Sequence, residues 1–211
     1  MGVEKRMADR CNTIRLYSFQ TDVVYQVLKR DGVCYSKEEY VRKKYKESAK
    51  VFINAYGWFV KEAQHIVPKP EGAEYPYWAF TDLYNVDQTG DGHVLTLDVP
   101  IGEAILFDMF DWTKIMQMHY IGENESEESA FSEELKNMGM SEFQIMTSNF
   151  YPEQKARIQE SWKRLFGHQQ AIEAGDNSGV HSVQAGLWCI KDEWIVCLLY
   201  TSPSPRDMRR S

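Results

Sequence analysis

The sequence predicts an α+β fold, with a mixed or antiparallel sheet packed against a long amphipathic helix and shorter helices. Three observations predict it. Short strand-like segments lie around Leu16, Trp78, Leu97, Leu106, Leu187 and Ile195. They alternate apolar with polar residues or concentrate β-branched and aromatic ones, as half-buried strands do. One apolar stripe at helical spacing runs from Val41 to Ala63. Roughly 190 residues, with no internal repeat, suit one domain with a real core.

Residues 1–12 are polar and mixed in charge, with Met7 a possible second start, and are expected to be loose. Ile14 to Phe19 alternates as a strand, and Thr21 to Arg30 follows as a short helix closed by Asp31 and Gly32. Ser36 with Glu39 three residues later is a capping-box pattern that opens the long helix. Its stripe is Val41, Tyr45, Ala49, Phe52, Tyr56, Phe59 and Ala63, and its other face carries Arg42, Lys43, Lys46, Lys50 and Lys61. That charged face is either simply solvated or a binding surface. Pro68 and Pro70 end the helical region, because neither donates an amide to a preceding turn. Tyr75 to Thr81 and His93 to Val99 read as strands joined by a turn-rich loop, and Ile105 to Phe107 as another. Asp111 is placed to cap a helix containing Trp112, Ile115, Met116 and His119. Glu123 to Glu134 is acidic, a surface insertion or short helix. Pro152 opens a helix over Glu153 to Phe166 that Gly167 stops, and Ala171 to Gly179 is a polar linker. Val183 to Ile190 and Glu193 to Val196 are the final strands.

The last segment resembles a translated sequencing adapter from Cys197 to Asp207, so residues 197–211 are expected to be a non-native tail and 13–196 a single α+β domain cut short. Leu198 and Leu199, being apolar, can still prolong the last strand. The whole chain carries 24 Lys and Arg against 31 Asp and Glu, a net charge of −7. Without Arg206, Arg209, Arg210 and Asp207 the balance is 21 against 30, or −9. Such acidity argues against broad adhesion to nucleic acid or anionic membranes. No apolar run approaches the roughly 18 residues that span a bilayer, and the charged start lacks a signal-peptide core. The expectation is therefore a cytoplasmic protein without a membrane partner. Cys11, Cys34 and Cys189 are too widely spaced to form a CxxC pair, so neither a zinc site nor a dithiol centre is expected.

The most suggestive motif is Asp87 to Asp98, which matches parts of a calcium-binding EF-hand loop. Its flanks read as strands instead of helices, so a Gly- and Asp-rich turn is the expectation and no metal is assigned. His65, His93, His119, His168 and His181 are scattered and belong to no hydrolase signature. No glycine-rich phosphate cradle is present, and no cofactor is assigned. Asp108 and Asp111 are close enough to share a site, either as caps and dipole partners or as an acid and base. Six tryptophans, Trp58, Trp78, Trp112, Trp162, Trp188 and Trp194, imply an aromatic core or a pocket that stacks planar rings.

Several motifs occur in order: LYSFQ at 16–20, AYGW at 55–58, YPYWAF at 75–80, LDVP at 97–100, ILFDMFDW at 105–112, SWKRLF at 161–166 and VQAGLWCIKDEWI at 183–195. Together they resemble a mainly bacterial family described as domain of unknown function 3841, over about Ile14 to Val196. The resemblance implies kinship and does not assign an activity. It also implies a closing strand longer than the one ending at Val196, and a His after the Asp-Leu-Trp turn where this chain has Thr113. Three functions stay open. The first is a binding module whose aromatic cleft takes a nucleobase-like or other planar ligand, with Gln20, Trp78, Asp108, Asp111, Trp112 and Trp188 as ligand candidates. The second is an NAD-using enzyme, since the order of elements loosely resembles an ADP-ribosyltransferase, with Arg15 and Glu193 as catalytic candidates. The third is a protein-interaction domain without a small ligand.

Overall fold

The computed structural model describes residues 12–38 and 49–201. Expectations for residues 1–11, for Val41, Tyr45 and the Arg42–Lys46 charges, for Glu39 of the capping box, and for the tail from Ser202 onward lie outside the described residues. The chain groups into two compact units, residues 1–38, 67–105 and 183–211 in the first and 39–66 and 106–182 in the second.

The first unit carries the sheet. β1 (Thr13–Gln20) buries Leu16, Ser18 and Gln20 on one face, the period-2 pattern its sequence predicts. α1 (Asp22–Asp31) follows and ends at Gly32, whose φ of 75° is the left-handed conformation that glycine adopts without a Cβ clash. β2 (Val33–Tyr35) comes next, a short strand with too few residues to show a period. α2 (Ala49–Ala63) belongs to the second unit.

β3 (Tyr77–Phe80) and β4 (Gly92–Pro100) are two expected strands. Between them Asp87 accepts from the amide of Thr89 at 3.0 Å, a local turn bond of the kind Asp favours, and Gly92 already belongs to β4. A Cβ on Gly92 would lie 2.4 Å from the carbonyl oxygen of Gln20, so only glycine allows the strands to approach there. β5 (Ile105–Asp108) is the strand at which the chain passes from one unit to the other.

The helical elements of the second unit are α3 (Met109–Met116), α4 (Glu125–Asn137), α5 (Glu142–Thr147), α6 (Pro152–Ser161) and α7 (Gln169–Glu173), with a 3-10 segment over Trp162–His168. β6 (Val183–Leu187), β7 (Cys189–Lys191) and β8 (Ile195–Thr201) return to the first unit. The six-stranded sheet has the order β5-β6-β3-β1-β4-β8, and its described registers are antiparallel. β1 pairs with β4 along its whole length, from Thr13 opposite Pro100 to Gln20 opposite His93. β2 and β7 form a separate two-stranded sheet.

Several boundaries differ from those the sequence predicts. The cap of α3 is Asp108, not Asp111, because the Asp108 carboxylate reaches the Phe110 amide while Asp111 is already inside the first turn. The apolar run Val183 to Ile190 breaks at Trp188, and its two halves join different sheets. Asp192–Trp194 is a 3-10 turn, so the last strand starts at Ile195; it then continues through Leu198 and Leu199 opposite Leu95 and Val94. The linker begins after Glu173, since residues 171–173 complete α7. α6 stops at Ser161 and tightens into the 3-10 segment. α5 is an additional helix, closed at its start by a capping box between Ser141 and Gln144.

In α2 the expected stripe residues Tyr56, Phe59 and Ala63 are buried, and Ala55 and Trp58 widen the buried face. Phe59 is fully enclosed, its ring centroid 5.6 Å from Phe107, 5.3 Å from Trp112 and 5.6 Å from Phe166. Trp58 stacks on Phe166 and meets Trp162 edge-on at 5.4 Å. Edge-on and offset contacts of this kind favour the ring quadrupoles. The core of the second unit is thus aromatic.

Candidate functional site

β5 ends on Asp108 and α3 begins at the next residue, so the carboxylate stands where a helix start needs an acceptor. It accepts from the Phe110 amide at 3.0 Å. The loop preceding β6 supplies the remaining donors: the His181 amide at 2.9 Å, the Ser182 amide at 3.4 Å, and His181 Nδ1 at 2.9 Å. The Met109 amide donates to the Ser182 carbonyl at 2.8 Å, which ties the two segments a second time.

Burial is the largest single influence on the Asp108 carboxyl and pushes its pKa up. The hydrogen bonds from the His181 amide, the Phe110 amide, the His181 ring and the Ser182 amide together outweigh it, leaving the pKa below the ordinary aspartate value. An ionised carboxylate only accepts, so the proton in the shared bond sits on Nδ1, and a ring that carries this proton alone has Nε2 as its acceptor.

His181 is nevertheless 75% exposed in its side chain, against 5% for Asp108. Its ring lies 5.0 Å from that of Phe110 at a tilt of 40°, and Phe110 is itself half exposed. An aromatic pair is therefore presented to solvent and anchored from beneath by a buried charge. Asp111 sits in the first turn of α3. Burial raises its pKa, Lys114 opposes the rise, the Asp108 charge adds to it, and His168 opposes it. The two carboxyls are thus driven in opposite directions, one kept charged and the other biased toward holding a proton. The His181 loop packs on His168 as well, for a Cβ on Gly179 would lie 3.2 Å from His168 Nδ1.

Of the residues singled out from sequence, Asp108, Asp111 and Trp112 come together on α3. Trp112 is buried between Tyr56 and Phe59 and serves the core. Gln20, Trp78 and Trp188 belong to the first unit. Gln20 is buried and donates to the Ser18 hydroxyl, which donates in turn to the Trp78 carbonyl at 2.7 Å. The Trp188 indole donates to the Val67 carbonyl at 2.8 Å inside the core. Trp58, Trp162 and Trp194 are buried too, so Trp78 alone of the six keeps a partly open ring. Arg15 gives its guanidinium to Asp98, directly opposite on β4, and Glu193 is exposed in the 3-10 turn before β8. Thr113 donates to the Met109 carbonyl within α3.

A cleft of about 540 Å³ opens on the second unit among Tyr120, Arg157, Ser161, Lys163 and Arg164. Its cations already have partners: Arg157 pairs with Glu134, Lys163 with Glu160, and Arg164 with Glu127 and Glu123. That arrangement ties α4, α6 and the 3-10 segment together and adds no surplus positive charge. Among the described residues no His, Cys, Asp and Glu side chains cluster as a metal site would need. No helix among them is long and apolar enough to cross a membrane.

Phe110 and His181 are the members that sequence reasoning missed. His181 carried no local signal, being isolated among Ser, Gly and Val, and Phe110 read as one apolar residue among several. A family model described as a domain of unknown function (DUF3841) matches residues 15–196. No curated protein and no solved structure matches the chain.

Proposed function

The chain belongs to the DUF3841 family, and on the geometry at the start of α3 we propose that it is a binding module for a planar, nucleobase-like ligand laid against Phe110 and His181. One observation carries the reading: an exposed imidazole is held in place by a buried, ionised Asp108 and set beside a half-exposed phenyl ring. Ordering an exposed ring opposes side-chain entropy; the bond to Asp108 offsets that cost and sets the ring in place before a ligand arrives. Stacking on such rings contributes about 1–3 kcal/mol per base and tolerates many ring systems. The tryptophans contribute to the fold around this platform, as the buried positions of Trp58, Trp112 and Trp162 indicate.

Thermal-shift titrations with free bases, nucleosides and NAD test the proposal. A planar ligand should raise the melting temperature of the wild-type chain with dose, and Phe110→Ala and His181→Ala should each flatten that response. Failure of every planar probe to shift the wild type, or an unchanged response in both variants, would sink the platform. NAD serves the transferase reading, which requires a response abolished by Arg15→Ala. That reading has the weaker support, because Asp98 already occupies the Arg15 guanidinium.

A further inference from the structure

We infer that His181 sets the hydrogen-bonding class of the ligand: its Nε2 accepts from an N–H on the edge of a planar ring, so amino-bearing heterocycles are selected over rings of the same size without that donor. The inference rests on the platform reading and narrows it.

Two aspects of the geometry lead there. Asp108 binds Nδ1 with an oxygen that also accepts the His181 amide, so the imidazole is held at both its backbone and its ring. Nδ1 faces the buried carboxylate, and the ring's other nitrogen belongs to a side chain that is 75% exposed. The lone pair on Nε2 lies in the ring plane and can meet only a donor approaching edge-on. The 40° tilt between the rings separates the two tasks. A heterocycle lying flat on Phe110 is not parallel to the imidazole, so Phe110 offers a face and His181 an edge acceptor. Ionised Asp108 fixes a proton on Nδ1, since a carboxylate without a proton cannot donate to it, and in the singly protonated ring Nε2 is then the accepting nitrogen.

The probes are adenosine, which carries an exocyclic amine, and purine riboside, which has the same ring system without it. Wild-type protein should bind adenosine about tenfold more tightly, the worth of one hydrogen bond. His181→Phe keeps an aromatic ring and removes the acceptor, so it should bring the two affinities together. Asp108→Asn keeps the Phe110 cap and the Ser182 amide bond through its amide oxygen, while its NH2 replaces the oxygen shared by the His181 amide and Nδ1, giving up that amide bond and favouring a ring with its proton on Nε2. It should weaken adenosine about tenfold and spare purine riboside. Equal wild-type affinities, or a preference that survives His181→Phe, would overturn the inference while leaving the platform intact. Binding of neither nucleoside, with no response to any other planar probe, would overturn both. Far-UV circular dichroism of each variant separates lost folding from lost recognition, and the exposed His181 substitution decides the matter should Asp108→Asn unfold.

Discussion

Asp108 combines a structural task with a functional one, and substitutions can separate them. Asp108→Ala removes the N-cap acceptor of α3 and leaves the His181 and Ser182 amides without it. Urea unfolding should show a loss of about 2 kcal/mol or somewhat more, the upper range for caps. Asp108→Asn, which keeps an acceptor for the Phe110 and Ser182 amides, should lose less than Asp108→Ala. Because the folded carboxyl titrates below its ordinary value, its contribution is present above the ordinary aspartate range and disappears as the pH falls through the depressed value. Wild-type stability should therefore drop on acidification more steeply than that of Asp108→Asn. His119 runs the other way. Its ring bonds to the Glu142 carboxylate, chiefly raising its pKa, against a smaller opposing effect of burial. The stability it contributes is complete below the ordinary histidine pKa and is lost as the pH rises through the raised one. A pH series of melting temperatures should show this alkaline decline in the wild type and its absence in His119→Gln. The roles of both groups were hidden in the sequence, where His119 and His181 are two scattered histidines among five.

At the scale of elements, α2 shows how a periodic stripe becomes a core. Tyr56, Phe59 and Ala63 were legible from their spacing, and each is buried. Phe59→Ala should destabilise by about 3–5 kcal/mol, as large-to-small changes of enclosed aromatics do. Lys61→Ala, on the exposed side of the same helix, should change stability by no more than about 0.5 kcal/mol. Denaturant midpoints of the two variants check the contrast. The six sheet segments were also readable, because alternation and β-branched composition are local properties of a strand. The break at Trp188 was not. Gly186 to Ile190 is continuously apolar, and nothing local says that Cys189–Lys191 pairs with Val33–Tyr35 while Val183–Leu187 pairs with Tyr77–Phe80. The one-turn displacement of the α3 cap has a similar origin. Asp108 and Asp111 are chemically equivalent as caps, and the end of β5 selects between them.

Over the whole molecule, five of the six indoles are buried and Trp78 is partly open. Intrinsic fluorescence of the native chain should be blue-shifted, and iodide should quench only a minor fraction of it. Trp78→Phe should remove most of that fraction, and substantial residual quenching would contradict the burial of the others. What the sequence determined by itself is the α+β class, the places of the six sheet segments and the apolar face of α2, because each rests on periodicity within a few neighbouring residues. Strand order and the Asp108–His181 pair were decided by tertiary structure alone. The pair joins residues 73 positions apart, and a contact over such a separation depends on which segments meet in space, something no local period records. The same holds for the Phe110 and His181 platform, whose two rings become one surface only after the loop before β6 has bound the end of β5.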